Sequence, residues 1–124
     1  QRGVVGEGGS ARAFSAAFAE QHPELVAAQS RISASADPAV YAAQARAASC
    51  YDYSDALAAV QNPVLVMQGL ADRMTSPGGS VLLSRALPNC ELQMIEGVGH
   101  NLHVEMGDRF VAMVLDFLAR HDPV

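Results

Sequence analysis

A carboxylate and an imidazole, Asp72 and His100, stand just beyond two short apolar runs that each end in glycine. The first run is Pro63-Val64-Leu65-Val66-Met67-Gln68-Gly69, followed by Leu70-Ala71-Asp72. The second is Glu91-Leu92-Gln93-Met94-Ile95-Glu96-Gly97, followed by Val98-Gly99-His100. A carboxylate beside an imidazole accepts a hydrogen bond from one ring nitrogen and fixes the tautomer. It also stabilises the imidazolium that forms when the other nitrogen takes a proton. Such a pair serves acid–base catalysis at a nucleophile. Singly, an Asp after a strand reads as a turn or cap residue, and a Gly-His as a loop. Their order, their spacing and their shared setting after apolar runs point to chemistry.

The elements needed to position them are legible. Val64–Met67 is an apolar run of strand length, predicted as a strand buried on both faces of a parallel sheet. Residues Gly78 to Leu87 suit a helix with Val81, Leu82, Leu83 and Leu87 as its apolar positions. Leu92–Ile95 is a second strand. Asp108 is predicted to cap a closing helix whose Phe110, Val111, Val114, Leu115, Phe117 and Leu118 recur at helical spacing. Strand–helix–strand–helix of this length implies parallel strands joined by a crossover. Loops leaving the carboxyl ends of neighbouring parallel strands lie side by side, which would bring Asp72 and His100 together. The remaining histidines read otherwise: His22 as a helix end, His103 as a pocket-mouth or surface residue, His121 as a terminus. Glu105 reads as a carboxylate near the start of the last helix, at the positive end of its dipole. Met67, Met94, Met106 and Met113 read as core filling.

Residues 1–60 have a different character, alanine-rich and without a convincing strand. Helices are predicted from Ser10, as a cap, to about Gln21, from Pro23 to about Ser33, from Asp37-Pro38 to about Ser49, and over Asp52–Val60. The expected organisation is a helical segment over 1–60 followed by a βαβα unit over 61–124.

Composition narrows the class. Half of the 124 residues are hydrophobic and 17% are charged, which suits a packed core. The net charge is −5 and the eight basic residues are all arginines scattered along the chain, so no nucleic-acid surface is expected. No apolar run approaches the roughly 20 residues that span a bilayer. Cys50 and Cys90 read as reduced thiols, no metal site is indicated, and the expected setting is cytoplasmic. The chain opens on Gln1 rather than Met, which reads as a processed or excised polypeptide.

Residues 57–120 resemble the C-terminal part of the α/β-hydrolase superfamily. The resemblance rests on Leu57-Ala58-Ala59-Val60-Gln61-Asn62-Pro63-Val64-Leu65-Val66, on the acid loop Gly69-Leu70-Ala71-Asp72, and on the histidine loop Gly97-Val98-Gly99-His100. Leu87-Pro88-Asn89 and Phe117-Leu118 also fit. Asp37-Pro38-Ala39-Val40-Tyr41-Ala42-Ala43, with Asp52 and Leu57 beyond it, resembles the cap-to-core passage of 3-oxoadipate enol-lactonase-like and non-haem haloperoxidase-like members. Gly107 stands where the family commonly has proline. The resemblance implies a partial α/β-hydrolase fold: a helical cap, then a parallel βαβα part of the core. It also implies Asp72 and His100 as the acid and histidine of a Ser-Asp-His triad acting on a small ester or lactone, with no cofactor.

The nucleophile departs from that pattern. The superfamily carries it in a Gly-x-Ser-x-Gly elbow ahead of the acid and the histidine, and the sequence contains no such motif. Val4-Val5-Gly6-Glu7-Gly8-Gly9-Ser10-Ala11-Arg12 has its flavour, but Gly8 falls at the nucleophile position. Using Ser10 instead leaves Arg12 in place of the second glycine. The expectation is that the serine lies outside this chain, and that a sheet edge left open is covered by an N-terminal hydrolase half or by self-association. The alternative is a non-catalytic, hydrolase-derived module that binds a small apolar ligand or a protein partner. Phe14, Phe18, Tyr41, Tyr51 and Tyr53 are candidate pocket walls or core residues.

Overall fold

A computed structural model describes residues 11–121, so the readings of Gly8 and Ser10 fall outside the described residues. Among the described residues, a helical turn at 11–12 is followed by α1 (Ala16–Gln21), α2 (Pro23–Ser35) and α3 (Pro38–Ser49). A 3-10 turn (Ser54–Ala59) leads into β1 (Val64–Gly69), α4 (Pro77–Ala86), β2 (Cys90–Ile95), the short α5 (Leu102–Met106) and α6 (Asp108–His121). The caps follow from local chemistry. Asp37 accepts the Ala39 N–H at 2.8 Å and Ser76 accepts the Gly78 N–H at 3.2 Å, each just ahead of a proline whose missing N–H would have no partner in a first turn.

β1 and β2 pair in parallel from Val64↔Cys90 to Gly69↔Ile95, and α4 packs on both. This is the βα-repeat expected from the apolar periodicity. Val66, Leu87, Ile95 and Phe117 form its buried apolar centre. Ala13 and Phe14 are buried as well, and the Phe14 ring stacks on Phe18 with centroids 5.5 Å apart.

Several local expectations are corrected. The first helix does not run unbroken through Phe14: Ser15 is its N-cap, accepting the Phe18 N–H, and residues 13–15 form a buried strip ahead of it. The helix expected over Asp52–Val60 is a 3-10 turn, because Asp52 takes the Ser54 N–H and hydroxyl. The second strand begins two residues earlier, at Cys90. Asp108 does not cap the closing helix but is its first residue. Gly107, at φ 51, breaks the chain direction, and its carbonyl accepts from Phe110 and Val111. The expectation of a strand buried on both faces is not met among the described residues: of Val64–Met67 only Val66 is buried, because the two strands described there have too few neighbours to cover both sides. Met94, read as core filling, is exposed for the same reason.

The strand ends meet without room for a side chain. A Cβ on Gly69 would lie 2.2 Å from the Val98 carbonyl oxygen and 2.4 Å from that of Gly99, both rigid backbone. Gly69→Ala is therefore expected to destabilise the fold by about 1–3 kcal/mol, as overpacking does, measured by urea denaturation. An exposed α4 substitution such as Gly79→Ala, where no atom lies within 4 Å, should not destabilise it.

Candidate active site

Each candidate side chain, Asp72 and His100, follows the carboxyl end of a strand. Beyond β1 the chain turns at once, held by Leu70 N–H to Ile95 O (2.8 Å) and Ala71 N–H to Val98 O (2.9 Å). These bonds clamp the acid loop to the histidine loop. Asp72 and His100 meet there, with His100 Nδ1 3.0 Å from Asp72 Oδ2. The carboxylate is nearly sealed, its side chain 2% exposed, whereas the imidazole is 37% exposed. One ring nitrogen is engaged by the acid, which leaves the other for chemistry.

A buried carboxylate must be compensated, and Asp72 is. Burial opposes its charge. The Thr75 hydroxyl, the Met74 and Thr75 N–H groups and His100 together outweigh that effect and hold the carboxyl well below the usual carboxylate range. Oδ1 accepts the Met74 N–H at 2.7 Å and the Thr75 N–H at 3.0 Å, while Oδ2 faces the Thr75 hydroxyl and His100. Asp72 is thus a fixed anion throughout the neutral range.

Two supporting residues escape a reading of the sequence. Gln68 is buried in β1; its amide donates to Gly69 O at 2.9 Å and Asp72 Oδ2 at 3.3 Å, and its oxygen accepts the Ser80 hydroxyl at 2.7 Å. A polar side chain inside an apolar strand was the available signal. Glu105 does not lie at the start of the closing helix. It is the last residue but one of α5, and its Oε1 accepts N–H groups from Gly99 (3.0 Å) and Ser15 (2.9 Å).

The other histidines lie elsewhere. His22 pairs with Glu24, His121 with Glu91, and His103 meets Phe110 edge-on. Of the aromatic candidates, Phe14 is core, while Tyr41, Tyr51 and Tyr53 are exposed. A shallow cavity of about 420 Å³ lies at the opposite, amino ends of the strands, lined by Pro63, Cys90, Glu91, Phe117 and His121 among others, and is not this site. Among the described residues no cluster of three or more His, Cys, Asp or Glu side chains could hold a metal ion. No helix among them is long and apolar enough to cross a membrane.

No family model matches the chain. It is 39% identical over 67 residues to the 2-hydroxy-6-oxononadienedioate/2-hydroxy-6-oxononatrienedioate hydrolase 1 of Dechloromonas aromatica (strain RCB), covering 54% of this chain and 23% of that protein. It is 34% identical over 64 residues to the 2-hydroxymuconate semialdehyde hydrolase of Pseudomonas putida, covering 52% of this chain and 23% of that one. Among solved structures, a thermophilic esterase from Thermogutta terrifontis superposes with a TM-score of 0.85 at 25% identity, over 98% of this chain and 45% of that one. The enol-lactonase of Burkholderia xenovorans LB400 superposes at 0.79 and 25% identity, over 88% and 42%. The chain therefore spans about a quarter of the curated relatives it matches and under half of these two structures. The fold and these matches point to one class: the chain is similar to part of the α/β-hydrolases. It carries a partial α/β-hydrolase fold, enol-lactonase-like in build.

The carboxylate network gives a pH-dependent prediction. Asp72's folded-state pKa is depressed, so its stabilising contribution is present above the unfolded-state value and is lost only as pH falls through the depressed one. Thr75→Val removes one charge-assisted hydrogen bond, which should cost roughly 1.5–3 kcal/mol at neutral pH. The Asp72 pKa should rise toward the ordinary carboxylate value, read by a ¹³C NMR titration of the carboxyl carbon, and the acid-unfolding midpoint should move to higher pH.

Proposed function

We propose that Asp72 and His100 are the acid and histidine of a Ser-Asp-His triad that hydrolyses an ester, a lactone or a related acyl bond. The nucleophilic serine is assigned to polypeptide outside residues 1–124. The observation that carries this reading is the 3.0 Å contact between His100 Nδ1 and a sealed Asp72 carboxylate at the ends of adjacent parallel strands. The likeness to an esterase and an enol-lactonase structure supports the substrate class.

In this mechanism the engaged Nδ1–H donates to Asp72, so Nε2 takes the serine proton as the hydroxyl oxygen attacks the carbonyl carbon. The imidazolium then returns that proton to the leaving alkoxide, and the acyl-enzyme forms. A water molecule, deprotonated by the same Nε2, releases the acid and restores the serine. Asp72 stays ionised throughout and offsets the charge on the ring.

We assign the remaining half of the fold to an N-terminal segment, carried on the same polypeptide or a separate one, with self-association as the competing arrangement. Val111, Leu115 and Leu118 support this: they form an exposed apolar stripe along α6, and among the described residues no further strand pairs with either outer edge of the sheet. A stripe of this kind on a polar-rimmed helix is a packing face awaiting a partner.

The test is steady-state hydrolysis of p-nitrophenyl esters and simple lactones by the whole polypeptide. His100→Ala and Asp72→Asn are each expected to lower kcat by on the order of 10³–10⁴-fold with modest change in KM. Residues 1–124 alone are expected to be inactive. Tight binding of a small apolar ligand with no turnover by the whole polypeptide would favour a binding module instead.

A further inference from the structure

We propose that Glu105 is a positioning residue that sets the His100 ring on Asp72, acting through the backbone it holds rather than through its charge. The proposal rests on the reading of Asp72 and His100 as a working pair. Glu105 Oε1 accepts both the Gly99 N–H at 3.0 Å and the Ser15 N–H at 2.9 Å. One oxygen atom thus joins the residue immediately before His100 to the strip at 13–15. That strip is itself anchored on every side. The Asn101 N–H donates to Ala13 O at 2.9 Å, and Arg73, next to the acid, donates to Ala11 O at 3.0 Å and Phe14 O at 3.3 Å. Phe14 and Ser15 are buried, so the strip cannot swing away.

The fit leaves no slack around residue 99. A Cβ there would come within 2.4 Å of Ser15 N, 2.6 Å of Glu105 Oε1 and 2.6 Å of Phe14 C. Buried N–H groups must be paired, and without Glu105 the Gly99 and Ser15 donors lose their acceptor. The loop would then have to shift to find water, carrying His100 off Asp72. Because Oε1 alone makes both bonds, an amide oxygen can replace it, whereas a shorter or apolar side chain cannot.

The tautomer of His100 reports this directly, by ¹⁵N NMR of ring-labelled whole polypeptide at a pH where the imidazole is neutral. Wild type and Glu105→Gln are expected to hold the Nδ1–H form. Glu105→Met and Glu105→Asp are expected to lower the Nδ1–H to Nε2–H ratio by about tenfold. Leu87→Ala, a core truncation in a different part of the fold, serves as the control that loses stability without moving the ratio. Should Glu105→Met not fold, Glu105→Asp carries the test. An unchanged ratio in the folded Met or Asp variant overturns the proposal, as does a collapsed ratio in Glu105→Gln, which would make charge the cause. The readout needs no turnover, so an inactive protein with these tautomer shifts would refute the hydrolase reading and leave the positioning role standing.

Discussion

The carboxyl ends of the two strands approach more closely than side chains permit, and the site is built on that approach. Gly69 lies against the Val98 and Gly99 carbonyls, and the Leu70 and Ala71 N–H groups reach across to Ile95 and Val98. This contact joins two loops that are separated in sequence by a whole helix. Any widening there would lengthen the span between Asp72 and His100, because both leave the same clamped junction. The geometry of the pair is thus a consequence of backbone packing first and of side-chain chemistry second.

Burial of Asp72 adds a second constraint. An ionised carboxylate sealed from water is unfavourable unless its oxygens are satisfied. Here the Met74 and Thr75 backbone N–H groups of the acid loop itself take Oδ1, and the Thr75 hydroxyl, Gln68 and His100 share Oδ2. The acid loop is therefore shaped around its own carboxylate, which is why Asp72 can be both a turn residue and a partner for the ring. The two readings that looked like alternatives in the sequence coexist in one side chain.

The sequence carried the βαβα order because apolar runs and helical periodicity are local signals, and it carried the juxtaposition of Asp72 and His100 because parallel topology dictates it. What it did not carry are interactions between distant segments. Nothing near residue 105 announces that its carboxylate reaches Gly99 and Ser15. The periodic Ala13, Phe14, Ala17 and Phe18 conceal a break at Ser15 that exists only because residues 13–15 are held by the two loops. Helix caps misled where a glycine with positive φ took the role expected of Asp108. The strand burial was overestimated for a further reason: an apolar run records the neighbours a strand is built for, and the described residues supply only some of them.

The exposed stripe on α6 and the sheet edges left unpaired among the described residues make the same point from the outside, and the proposed triad turns on whether His100 activates a serine elsewhere. The most direct measurement is labelling of the whole polypeptide with a fluorophosphonate probe, followed by peptide mapping of the adduct. The account predicts one modified serine, outside residues 1–124, with its labelling rate collapsing in the His100→Ala variant. A serine labelled equally fast without the imidazole, or no labelled serine in a folded whole polypeptide, would contradict it.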